Sequence, residues 1–387
     1  MAKYEIINGE GIIPHGTTEI EDHAFSRKSQ KKSFAINLLS SLSTFFSFSR
    51  KSQIKNIAIP NSVTKIGIGA FADCKSLTSI TIPNSVTEIG DKAFSGCEAL
   101  TSINIPESVM KIGKSAFYGC KALRSVTIPN SVTEIGVHAF LGCKALRSVY
   151  IPNSVTEIGY SAFCGCRELT SINIPNSVTK IGDEAFFGCR ELRSVNIPNS
   201  VTEIGEGAFS GCGLTSINIP ESVTKIGKSA FGACGLTSIN IPNSVTEIGE
   251  SAFHVCWKLK NVTIPNSVRE IREWAFSGCK ALTSINIPES VRKIGNRAFY
   301  KCLVLKSVTI PNSVTEIEDC AFSGCENLKE IILYQTDPSK IKVSERSGLY
   351  KTQATLYVPN VGVAAFQKDP FWSECAAIKP ITDDMLK

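Results

Sequence analysis

Apolar and polar positions recur along this chain with a period of 23 residues. One unit reads Leu77-Thr-Ser-Ile80-Thr-Ile82-Pro83-Asn-Ser85-Val86-Thr-Glu88-Ile89-Gly90-Asp-Lys-Ala93-Phe94-Ser-Gly-Cys97. Ile80 and Ile82 alternate with Ser79 and Thr81, the period-two pattern of a strand with one buried face. Pro83 has no N–H for a further ladder bond and ends that strand. Proline marks the period from Pro60 to Pro311, and only the steps ending at Pro220 and Pro242 are shortened, to 22 residues. In both, Cys-Gly-Leu (Cys212 to Leu214, Cys234 to Leu236) replaces Cys-x-x-Leu.

A unit this short cannot bury a core alone, so the repeat predicts stacking. The expected architecture is a leucine-rich repeat solenoid, curved and right-handed, with one short parallel strand per coil and a C-terminal cap. Leu77, Ile80 and Ile82 fit the L-x-x-L-x-L core of such repeats. Ala-Phe recurs thirteen times, from Ala24-Phe25 to Ala321-Phe322, which predicts a row of inward phenylalanines on the convex side. The column of Gly67, Gly90, Gly113 and Gly136 predicts positive φ. Arg272 and Glu318 replace that glycine, so those two turns are expected to differ or carry strain.

The run Ile-Pro-Asn-Ser-Val-Thr-Glu-Ile-Gly-x-x-Ala-Phe-x-Gly-Cys closely resembles the BspA-like (Treponema pallidum type) leucine-rich repeats. The resemblance is tight over 54–333 and looser over 5–25. It implies attachment, since many members are surface proteins of host-associated bacteria that bind host matrix proteins or other cells. Four segments are expected: 1–25, a partial repeat (Ile13-Pro14, Ile20, Ala24-Phe25); 26–53, a degenerate repeat or a looped-out excursion; 54–333, the solenoid; and 334–387, a cap resembling those of bacterial members. Leu328, Ile331 and Leu333 read as the last strand, Val363 to Lys368 as a short helix, and Trp372 as a cap residue.

Composition alters this picture little. Lys and Arg exceed Asp and Glu by 6, too mild an excess to argue for nucleic acid, and none is expected as a partner. The N-terminus has no apolar signal segment, and Phe34 to Phe48 is too short and too Ser-rich to span a bilayer. Of 15 cysteines, twelve form one column from Cys74 to Cys325, expected to be buried, reduced thiols. Cys164, Cys320 and Cys375 lie off it and are the candidates for exposed, reactive groups. Reduced thiols and the missing signal segment favour the cytoplasm, whereas the family resemblance favours the cell surface.

Four scattered histidines, no P-loop and no G-x-S-x-G point to a chain that is not an enzyme and needs no metal or cofactor. A second column alternates Lys65, Glu88, Lys111 and onward, setting opposite charges on neighbouring coils. The concave face is expected to be polar (Ser79, Ser102, Ser125 and their equivalents), with Tyr150 its one aromatic residue. Beside it runs a basic band of Lys121, Arg124, Lys144, Arg147, Arg167, Arg190 and Arg193, opposed by Glu168 and Glu191. The expected function is protein binding through this face or band. A lectin-like carbohydrate surface and anionic-polymer binding remain as alternatives.

Overall fold

The structure, a computed structural model, describes residues 4–26 and 54–382. The reading of 26–53 thus falls, beyond Ser26, outside the described residues. The chain forms two compact units, Met1–Ser200 and Val201–Lys387, both built from the parallel β-coils that the repeat predicts.

In the first unit, the strand expected before each proline forms a parallel ladder. Ser125–Thr127, Ser148–Tyr150 and Ser171–Ile172 pair in register, Ser125 with Ser148 and Ser148 with Ser171. Single bridges such as Ala58 to Thr81 and Asn173 to Asn196 extend it. The structure adds a second strand per coil at the Glu/Lys-Ile dipeptide after the Asn-Ser-Val turn. Glu19–Ile20, Lys65–Ile66, Glu88–Ile89 and Lys111–Ile112 form this second ladder. The coil ending at Ser26 pairs directly with the coil beginning at Ile54, Glu19 opposite Lys65. The third side has no strand, yet its backbone still bonds from coil to coil, with Phe94 N–H donating to Ala116 O at 2.8 Å and Phe117 N–H to Ala139 O at 2.8 Å.

The first unit opens with a hairpin, Glu5–Ile7 against Glu10–Ile12, turning through Asn8 (φ 52°) and Gly9 (φ 84°). Asn-Gly is the pair such a turn prefers, because both residues tolerate positive φ. Tyr4 packs edge-on against Phe25 at 5.3 Å. Its hydroxyl donates to Glu19 O and accepts from Glu21 N–H, both at 3.2 Å, so one side chain replaces the backbone partners that a preceding coil would supply.

In the second unit the first ladder runs through Ser284–Asn286, Ser307–Ile310 and Glu330–Leu333. It does not stop there, as the loss of period suggested. Thr355–Val358 and Ala377–Pro380 continue it in parallel, with the helix α1 (Val363–Lys368) between them. Trp372 is buried, in edge contact with Phe366 at 5.9 Å and Phe371 at 4.9 Å. The second ladder falls into two parts, Glu203–Ile204 to Glu247–Ile248 and Glu270–Ile271 to Lys342–Val343.

Inside the coils the Ala-Phe phenylalanines stack ring on ring, as from Phe71 to Phe94 at 5.2 Å and from Phe299 to Phe322 at 5.2 Å. The column cysteines lie beside them as free thiols, buried except for Cys325, which is partly exposed. Down the column they donate to the carbonyl of the phenylalanine one coil back, for example Cys97 Sγ to Phe71 O at 3.2 Å and Cys120 Sγ to Phe94 O at 3.2 Å. Burial pushes Cys97 and Cys120 well above the usual thiol range and Cys256 up to about 12.

The glycine column has a different cause from the one expected. Gly90 and Gly113 do not have positive φ. A Cβ on Gly90 would lie 2.8 Å from Ile66 O, and one on Gly113 would lie 2.5 Å from Asp91 N. Close approach of neighbouring coils, not handedness, excludes a side chain there. Positive φ falls instead on the residue before each column cysteine, often glycine, such as Gly119 (φ 69°), and two residues after the column glycine, as at Lys92 (φ 57°) and His138 (φ 59°).

Candidate interaction surface

The loop from each column cysteine to the first-ladder strand carries the basic residues. Backbone bonds lock it from coil to coil. Arg124 N–H donates to Thr101 O at 3.1 Å, Arg147 N–H to Arg124 O at 2.9 Å, and Ala145 N–H to Lys121 O at 3.1 Å. The side chains therefore stand in two files, Lys121, Lys144, Arg167 and Arg190 in one, and Arg124, Arg147 and Arg193 in the other. All seven are exposed, and successive coils advance by about 4.8 Å.

The counter-charges are more numerous than Glu168 and Glu191 alone. Glu98 is held by Lys121 at 2.9 Å and Lys75 at 2.9 Å, and the hydrogen bond from Lys121, then that from Lys75, lowers its carboxyl below the usual range. Arg147 pairs with Glu168 at 3.1 Å and Arg193 with Glu191 at 3.0 Å. Arg124, Lys144, Arg167 and Arg190 make no ion pair among the described residues. Tyr150, 49% exposed, stands on the adjoining strand opposite Thr127.

The equivalent repeat positions of the second unit were not singled out by the sequence. There they carry the exposed Trp257 and Lys280, and Lys260, Lys306 and Lys329. Also missed was a cluster on the strandless side. Trp274 meets His254 edge-on at 5.6 Å and Tyr300 at 6.0 Å, with the Arg297 guanidinium 4.8 Å over its ring. Burial lowers the His254 pKa.

Of the off-column cysteines, Cys164 and Cys375 do not have the environment of reactive thiols. Cys375 is buried, and Cys164 and Cys320 are half-buried. Desolvation raises Cys164 and Cys375 to about 11, which leaves little thiolate at neutral pH. Among the described residues no group of three His, Cys, Asp or Glu side chains is placed to hold a metal ion, and no helix is long and apolar enough to cross a membrane.

Comparison with known families decides the classification. The model of the BspA type leucine rich repeat region matches residues 9–123, 42–169, 111–237, 156–280 and 224–353. The chain belongs to the BspA-type leucine-rich repeat family. Its solved relatives include a leucine-rich repeat protein from Bacteroides ovatus, 36% identical, with a TM-score of 0.66 over 76% of this chain and 84% of that one. A leucine-rich cell surface protein from Faecalibacterium prausnitzii is 35% identical, with a TM-score of 0.53 over 74% of this chain and 89% of that one. A leucine-rich repeat protein from Eubacterium ventriosum, 23% identical with a TM-score of 0.58, shares the fold. No curated protein matches. As a BspA-type repeat protein the chain is a scaffold of the kind that serves protein interaction.

Proposed function

We propose that this BspA-type chain is a non-catalytic binding module that engages an acidic protein through the basic edge of its first unit. The observation that carries this reading is the pair of cation files, fixed by coil-to-coil backbone bonds, in which Arg124, Lys144, Arg167 and Arg190 lack a carboxylate partner among the described residues. Rigid positioning lowers the ordering cost of binding. A row of unpaired cations steers an acidic partner during encounter. Tyr150 would add an aromatic anchor beside the row. The cell-surface relative supports an adhesin-like role. Residues 334–387 would then act as the terminal cap.

The test compares proteins retained from extracellular-matrix and cell-surface extracts by the wild type and by R124E/R167E/R190E, with a glycan array and a polyanion in parallel. Retention of acidic proteins by the wild type alone, with association slowed mainly at low salt, is the expected result. Equal retention by both proteins would remove the edge from the function, and binding confined to glycans or to the polyanion would replace the acidic protein with that ligand.

A further inference from the structure

The strandless side of the first unit carries an apolar stripe apart from the basic edge. The residue after each Ala-Phe is Ser26, Ala72 and Ser95 in the early coils. In the next four it is Tyr118, Leu141, Cys164 and Phe187. Tyr118 and Phe187 are each 44% exposed, and Tyr160, four residues before Cys164, is 43% exposed. Leu141, Cys164 and Val137 are partly exposed. The backbone beneath is fixed, since Gly119, Gly142 and Gly165 donate to the carbonyls of Leu141, Cys164 and Phe187 at 2.7–2.8 Å. A soluble coil gains nothing from showing three large aromatics in one patch, and such patches mark contact sites.

The ends of the stripe carry opposite charges. Lys92 and Lys114 stand at the start and make no ion pair among the described residues. Asp91, at the same end, uses a carboxylate oxygen to accept the Lys114 N–H at 2.8 Å. Asp183 and Glu184 stand at the other end, where Glu184 accepts from Ser161 Oγ at 2.9 Å. We infer that the stripe docks on a second copy of this chain, the two stacks running antiparallel about a two-fold axis in the interface.

That axis reverses coil order while keeping each column opposite itself. With the axis between the second and third coils of the stripe, Tyr118 meets Phe187 of the other copy and Leu141 meets Cys164. Val137 meets Tyr160, and Lys114 meets Asp183. These four contacts are apolar on apolar or plus on minus, the self-complementarity a two-fold interface requires. A parallel arrangement would instead set Lys114 on Lys114. The stripe spans roughly 15–20 Å at about 4.8 Å per coil, too small for the ~800 Å² per partner of a standard interface, so the dimer is reversible and concentration-dependent.

Sedimentation of the full chain from dilute solution to its solubility limit tests this. The wild type should pass from monomer to dimer, and F187S should stay monomeric with an unchanged melting curve. K114D alone and D183K alone should each stay monomeric, because each faces like charges across the axis. Mixed together, the two variants should associate, because both contacts are then plus on minus. A wild type monomeric throughout overturns the proposal and leaves the stripe to a different protein. Charge variants that dimerise alone as well as when mixed overturn the antiparallel register, and with it the proposal.

Discussion

At the residue scale, two glycine columns carry different physical duties, and a pair of substitutions separates them. A methyl on Gly113 meets backbone atoms of the previous coil, Asp91 N at 2.5 Å and Gly90 C at 2.6 Å. Neither can move without shifting the stack. Gly119 has φ 69° and nothing within 4 Å of an added Cβ, so alanine there bears only left-handed strain of about 1–2 kcal/mol. G113A should therefore lower the urea midpoint more than G119A, by overpacking on top of lost fit. The reverse order would restore the conformational account of the first column. The thiols give a second test. Burial raises the pKa values of Cys97, Cys120 and Cys279 in the fold. The stabilisation is complete below the unfolded thiol pKa and is lost as pH rises through the folded values. Above about pH 9 each protected thiol costs roughly 1.4 kcal/mol per pH unit. Denaturation midpoints should fall steeply from pH 9 upward, with few column thiols open to alkylation before unfolding. A flat profile to pH 10.5 would show that the column is not shielded.

At the scale of the element, the second ladder is weakest around Glu134 and between Glu247 and Glu270. Lys65 lies 3.7 Å from Glu19 and 3.8 Å from Glu88, and Lys293 sits between Glu270 and Glu316. Glu134 and Glu157 are consecutive acids, and there the ladder thins to single bridges at Ile135. Glu247 and Glu270 are the other acidic pair, and between their strands the ladder is divided. Like charges side by side destabilise strand pairing. Arg272, standing in for the column glycine, takes Glu247 at 2.8 Å, and Trp274 bridges the same junction through His254. The turn at Arg272 keeps the backbone turn bond of the others, Ala275 N–H on Arg272 O at 3.2 Å, and differs in its side-chain partner. Glu318 likewise keeps its backbone bonds, since its N–H reaches Ile294 O at 3.0 Å. R272A should cost at most about 1 kcal/mol, since the pair is well exposed, and the loss should shrink in high salt. W274A should cost about 1–2 kcal/mol through lost aromatic and cation–π contacts, with little salt dependence. Equal salt sensitivity in the two variants would contradict this division of roles.

The strand before each proline was legible because alternation with a buried face leaves a period-two trace. The second strand was not, because two residues are too few for a period to register. The basic files were legible as columns, but Glu98 was missed because its coil precedes the band. The apolar stripe escaped notice for a related reason. Its position changes from coil to coil, serine in five and alanine, glycine or histidine in others, so the repeat shows no apolar column there.

At the scale of the whole molecule, the first coil of the first unit and the last coil of the second unit are finished differently. At the start, the Tyr4 hydroxyl satisfies Glu19 and Glu21 and its ring covers Phe25. At the far end, residues 334–387 add two first-ladder strands and the buried Phe366 and Trp372. Their outermost strand finishes on Lys379 and Pro380, a charge and a missing N–H that discourage further strand addition. If this segment is the cap, its value lies in covering the apolar face of the coil that ends at Leu333, which no later repeat covers. An internal coil has no such duty, because its neighbours can close over the gap when one period is removed in register. Excision of Asn61 to Pro83 should therefore leave a soluble protein that melts cooperatively at a slightly lower temperature. Removal of 334–387 should expose the Leu333 coil, lower the melting temperature further and promote aggregation. Light scattering and melting of the two deletions side by side decide the matter, and a truncated chain as soluble and as stable as the excised one would mean that the last coil needs no cover.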